Sequence, residues 1–254
     1  MLTMTVLRAV VIGILVALAG TLPWATLVAL NQKFLPSVPW SVLPTIPYLW
    51  FFWRYAKGEG WPRSTSQTRR LNCRANRLSE EAWGAAIIAG VLGLVCLVLF
   101  MRVMNRMVAL PQQHEDLSRF SAFSILFLVL MGSIVAGVVE ETAFRGYMQR
   151  PIERRHGPVI AILVTGVLFG FAHFSHREVT LALLPFFLAV AAIYGTMAYL
   201  TDSILPGMVV HAGGDVMGAM DFLVRGQSEW QASPTPTSAL SPTIQTTGTA
   251  PTKR

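Results

Sequence analysis

Long apolar runs dominate the chain. Runs of spanning length fall at about 6–30, 38–56, 82–104, 121–144, 158–174, 179–200 and 203–224. A helix needs roughly 20 apolar residues to cross the ~30 Å hydrocarbon core of a bilayer. The pattern therefore predicts an all-α fold, a polytopic membrane helical bundle of about seven transmembrane helices. The second run contains Pro39, Pro44 and Pro47, which predicts a bent or partly re-entrant segment, because proline removes a helix donor. The fifth run is short for a full span. The first follows a single early arginine, Arg8, and exceeds the core of a signal peptide, so it reads as a retained span.

The polar stretches divide this pattern into three regions. Residues 1–120 hold the N-terminal membrane helices and a basic loop at 57–81. Residues 121–224 hold a core in which ionisable groups interrupt the apolar runs. Residues 225–254 form a Ser-, Thr- and Pro-rich tail expected to be disordered. Composition agrees with a membrane protein: 53% of the 254 residues are hydrophobic and 13% are charged, about half the charged share of a soluble domain. The net charge of +7 is explained by positive-inside loops without any nucleic-acid partner. Under a seven-span count, the basic loops at 57–81 and 146–157 share one face, which that rule makes cytoplasmic. The expected setting is a cell membrane, crossed several times, with membrane lipid as the surrounding partner. Cys73 and Cys96 form neither a metal-ligand spacing nor an expected disulfide.

Three polar constellations lie inside apolar runs, where hydrocarbon cannot solvate charge. The first is Glu140-Glu141-Thr142-Ala143-Phe144-Arg145. Glu141 and Arg145 are four apart on one helix face and can pair, while Glu140 points about 100° away. This spacing makes Glu141–Arg145 a bracing pair and leaves Glu140 as the working carboxylate. The same acids would also suit a helix end capped at the interface. The second constellation is Phe169-Gly170-Phe171-Ala172-His173, with Phe169 and His173 on one face and Gly166 and Gly170 opening a path for a neighbouring backbone. The third is His211-Ala212-Gly213-Gly214-Asp215, where His211 and Asp215 share a face near the middle of the last span.

Depth relates the first two. Glu140 precedes the turn at Gly157-Pro158 by about as many residues as His173 follows it, so an antiparallel hairpin sets them roughly level, the equality being approximate because Pro151 should interrupt the fourth helix. Carboxylate, imidazole, and imidazole plus carboxylate from three spans make either a hydrolytic or a metal site. Gly132, Ala136, Gly137, Gly213 and Gly214 are small enough to leave room there.

The ordered set Glu-Glu-x-x-x-Arg, Phe-x-x-x-His and His-x-x-x-Asp, each in its own membrane helix, resembles the CPBP family over about 121–224. These are the CAAX-protease and bacteriocin-processing intramembrane endopeptidases, related to the Ras-converting CAAX endopeptidase. The resemblance implies peptide-bond hydrolysis in a cavity within the bilayer, on a protein or peptide substrate. By position it makes Glu140 the general base on a water, assisted by His173. His211 and Asp215 would stabilise the oxyanion or bind the water, and Glu141 and Arg145 would support the site. Some members are described as zinc metalloproteases; Glu140, His173, His211 and Asp215 would then be the metal ligands. Under the glutamate-water chemistry no cofactor is needed. Asp215 stands where many members have asparagine. An ionised aspartate cannot donate to an oxyanion, so Asp215 is either protonated or a metal ligand.

Two other classes fit part of the pattern. A non-catalytic scaffold or immunity protein of the same family would be expected to lose a motif residue, and none is lost. A proton-coupled transporter would use the four ionisable groups as a relay but would usually show repeated halves.

Overall fold

The computed structural model describes residues 6–107, 119–174 and 181–232, with 221–232 as backbone alone. Among these residues the regular elements are helices, with no strand. They are α1 (Val6–Phe34), α2 (Val42–Ala56), α3 (Ser66–Cys73), α4 (Glu80–Met107), α5 (Ala122–Glu140), a π-helical stretch (Glu141–Gln149), α6 (Arg150–His156), α7 (Pro158–His173), α8 (Leu184–Thr201) and α9 (Leu205–Ala232). The chain divides into two units, Met1–Met217 and Gly218–Arg254. The first unit holds α1–α8, the start of α9 and the site residues discussed below.

The helical membrane bundle expected from the hydropathy pattern is present. Four stretches among the described residues are long and apolar enough to cross a bilayer: Val6–Phe34, Glu80–Met107, Ala122–His156 and Leu181–Thr201. The expected count of seven is not reached on that measure. The second run becomes α2, of 15 residues, because its helix starts only after Pro39 and the turn that follows. The fifth becomes α7, of 16 residues. Of the tail expected at 225–254, residues 225–232 continue α9 and 233–254 lie outside the described residues.

Apolar side chains such as Leu15, Leu22, Ile88, Leu92, Val159 and Leu200 face outward, as lipid-facing positions of a bundle do. Inside, small residues let helices approach. A Cβ at Gly13 would lie 2.8 Å from Met148, and one at Gly20 would run into Val139, so α1 lies directly on α5 and the π-helical stretch. Gly166 and Gly170 face Ala191 and Leu184 of α8, the close approach expected from their spacing. Gly157, at φ 81°, ends α6, and Pro158 starts α7; the pair makes the hairpin turn.

Pro151 was expected to interrupt the fourth helix. Instead the chain stays helical from Ala122 to His156, and widens to π-helix over Glu141–Gln149, just before the proline. Proline gives no amide hydrogen and its ring crowds the carbonyl four residues back, and a wider turn relieves that crowding. The nine residues of the wide stretch are all buried. Thr142 Oγ1 donates to the Val138 carbonyl (2.6 Å), Tyr147 Oη to the Ala56 carbonyl (2.8 Å) and Gln149 Nε2 to the Gly195 carbonyl (2.9 Å).

A buried polar clasp closes one end of the bundle. Arg74, 1% exposed, donates from both Nη atoms to Glu153 (2.9 and 3.1 Å) and from Nε to Asp202 (3.1 Å). Arg150 reaches the same two acids, Glu153 at 3.0 Å and Asp202 at 2.8 Å. Asn76 Nδ2 donates to the Asp202 carbonyl (2.7 Å), and Ile204 N to the Arg74 carbonyl (3.1 Å). Both Arg74 and Asp202 sit at positive φ, 60° and 49°, as the last residues of their helices turn out. The clasp brings the two basic segments to one end, the arrangement expected from the loop count. Cys73 and Cys96 are free thiols.

Candidate active site

His211 is the centre of the arrangement. Its Nδ1 lies 2.9 Å from Glu141 Oε1, in hydrogen-bond contact. A carboxylate accepts, so Nδ1 carries the proton and Nε2 points the other way. There it faces Glu140 Oε2 and Asp215 Oδ2, each at 3.8 Å. Those separations are too long for direct hydrogen bonds and suit a bridging water. The imidazole is buried with its side chain 8% exposed, while Glu140 and Asp215 keep 22% and 41%. The site therefore has a closed side at Glu141 and an open side at Glu140 and Asp215.

Packing explains why these helices meet. A Cβ at Gly137 would lie 2.6 Å from the Met208 carbonyl, and one at Gly207 would lie 2.9 Å from Glu141 Oε2. Glycine at both positions lets α9 settle against α5 and the wide stretch. Of the other small residues expected to leave room, Gly214 packs on Leu94 and Gly132 lies near Trp24, whereas Gly213 has open space beside it.

Glu141 is fully buried and forms the expected pair with Arg145, at 3.3 Å from Nη1. The pair is an ion contact outside hydrogen-bond geometry. Neither Arg145 Nη1 nor Nη2 has a hydrogen-bond partner among the described residues, and neither has Glu141 Oε2. Arg145 is held by rings instead, lying 4.6 Å over Phe169 and 5.4 Å over Tyr194. A desolvated cation gains from an aromatic face.

His173 joins through aromatic contacts. Its Nδ1 meets the Phe169 carbonyl at 2.8 Å, which as an acceptor makes Nδ1 the protonated nitrogen. Its ring stacks on Phe187 at 4.6 Å and lies 4.5 Å from Phe169, whose ring is 6.4 Å from His211. Thus α7 reaches the imidazole of α9 through Phe169.

Two features were missed from sequence. Glu141 serves His211 as well as Arg145. Tyr194 of α8 lies flat on the His211 ring, at 5.1 Å and 10° between planes. A tyrosine amid the apolar run 179–200 was the available signal.

Glu141 is twelve residues before Glu153 of the clasp and His211 nine after Asp202, so the site lies inside the bundle, away from that polar end. As placed, the four residues considered as zinc ligands do not form a coordination set. Among the described residues no group of three or more His, Cys, Asp and Glu is arranged to hold a metal ion.

Acid and imidazole groups from two helices and the wide stretch between them thus meet inside a helical membrane bundle. Residues 122–217 match the family model described as Type II CAAX prenyl endopeptidase Rce1-like. The match covers under half of the chain, but it takes in Glu140, Glu141, Arg145, His173, His211 and Asp215, and it agrees with the CPBP resemblance. The matched family is one of endopeptidases. No curated protein and no solved structure matches the chain.

Proposed function

We propose that the protein is an intramembrane endopeptidase that hydrolyses a peptide bond of a membrane-associated protein or peptide, with a water activated by Glu140. The observation that carries this reading is the 3.8 Å spacing of Glu140 and Asp215 around His211 Nε2, beside the 2.9 Å contact that fixes His211 Nδ1 on Glu141. A water between Glu140 and His211 is within reach of both. Glu140 removes its proton as oxygen attacks the carbonyl, then passes that proton to the leaving amine.

Glu141 and Arg145 hold the imidazole in place, and Phe169 and Tyr194 hold Arg145. In its protonated form Asp215 would donate to the water or the oxyanion. His173 of α7, given an assisting role by the family pattern, is linked to the site through the Phe169 ring. A plasma-membrane location in a bacterium, with the basic end cytoplasmic, completes the proposal. The test is cleavage of a peptide library by purified protein. Glu140→Gln should lower turnover by at least about 100-fold, the typical size of a general-base contribution, with an unchanged thermal transition. Full activity in that variant rejects the assignment.

A further inference from the structure

Residues 57–66 run from the end of α2 to the first residue of α3 and take no part in the site. Their backbone turns at Gly58 and Gly60, with φ of 90° and 74°. Arg69, 5% exposed, gathers this loop from within. Its guanidinium donates to the carbonyls of Tyr55, Glu59, Gly60 and Pro62, and to Thr65 Oγ1. Ser66 Oγ adds a bond to the Gly58 carbonyl. Glu59 is paired with Arg54 and Lys57. The result is a stiff loop that holds one large apolar ring outward: Trp61 is 85% exposed.

Trp61 has suitable company. Trp50, Phe51 and Tyr55 are exposed along α2, and Arg54, Arg63 and Arg70 are exposed around the loop. Across residues 54–81, 150–156 and 202, ten basic residues stand against five acidic ones. The Arg74–Glu153 and Arg74–Asp202 pairs place these segments at one end of the bundle. Indole rings concentrate in the headgroup layer, where one edge is apolar and the other wet. Arginine beside an anionic leaflet gains by charge. An acidic protein surface would match the arginines but not a ring presented next to the lipid-facing side of α2.

We propose that the 57–66 loop is a lipid-surface anchor: Trp61 enters the headgroup layer of a leaflet containing anionic lipid, and Arg63 and Arg70 rest on its phosphates. This does not depend on the protein being a protease. A Trp61→Cys, Cys96→Ser variant, with Cys73 buried, takes one environment-sensitive fluorophore at position 61. In nanodiscs the label should emit further to the blue than in detergent. It should be quenched by lipids spin-labelled near the headgroup, and more strongly when phosphatidylglycerol replaces phosphatidylcholine. Arg63→Gln with Arg70→Gln should reduce that preference, by about fivefold per charge in the bound-to-free ratio. Equal emission and equal quenching by aqueous iodide in both discs and in detergent would overturn the anchor. So would quenching mainly by mid-chain labels. In unlabelled protein, the tryptophan emission lost on Trp61→Phe should be the component quenched by lipids brominated near the headgroup. A component insensitive to them would also overturn it.

Discussion

Glu141 Oε1 lies 2.9 Å from His211 Nδ1 across 70 residues of chain, and 3.3 Å from Arg145 Nη1 one turn away. One fully buried oxygen thus serves an imidazole on α9 and a guanidinium on its own helix. The second oxygen, Oε2, abuts Gly207.

Glu141→Gln should therefore act differently from a change at Glu140. It keeps an acceptor for His211 but leaves the Arg145 charge buried and uncompensated. Breaking a buried pair from one side costs about 3–5 kcal/mol, so the thermal transition should fall and activity should fall with it. A Glu141→Gln protein with wild-type stability would mean that Arg145 is not buried as described.

Tyr194 tests whether ring packing sets the imidazole plane. Tyr194→Phe keeps the ring that lies 10° from His211 and should retain near wild-type turnover. Tyr194→Ala frees the imidazole, and a misplaced catalytic group can cost on the order of 100-fold. Steady-state kinetics should place the loss in kcat rather than KM. Equal loss in both variants would point to the hydroxyl instead.

The clasp makes a stability prediction independent of chemistry. Arg74→Met takes the buried cation from Glu153 and leaves Arg150 as that acid's remaining cation, so it should destabilise by no more than about 3–5 kcal/mol, the cost of a fully broken buried pair. Adding Glu153→Gln should cost much less than the sum of the two single changes, because the groups are in direct contact. Thermal unfolding in detergent gives all three values; strict additivity would remove the coupling.

The proposed water chemistry needs no metal. Protein treated with a chelator and freed of it should keep its cleavage rate. Activity lost on chelation and restored by zinc would replace the glutamate-water mechanism with a metal-dependent one.

Much of this was legible in the sequence because membrane burial makes ionisable groups conspicuous. Glu140, Glu141, Arg145, His211 and Asp215 stood out as charges within apolar runs, and the structure brings them together. The Glu141–Arg145 pair followed from i,i+4 spacing alone. What spacing cannot give is contact between helices. Glu141 reaches His211 only because Gly137 and Gly207 permit close approach, and Tyr194 stacks there only because α8 passes beside α9. Span length was also less legible than polarity: proline delays the start of α2, and the hydropathy run around it gives no sign of the shorter helix. Pro151 was read as a break, whereas the preceding turns widened and the helix continued.

The clasp also bears on how the protein is to be dissected. Glu153 and Asp202 belong to the stretch that matches the endopeptidase family, but their shared cation, Arg74, comes from well upstream of it. Excising 122–217 as a minimal fragment would strip both acids of that counter-ion and remove α1 from against Met148. The leading helices are thus a structural dependency of the matched stretch, and an expression fragment must include α1 to preserve it.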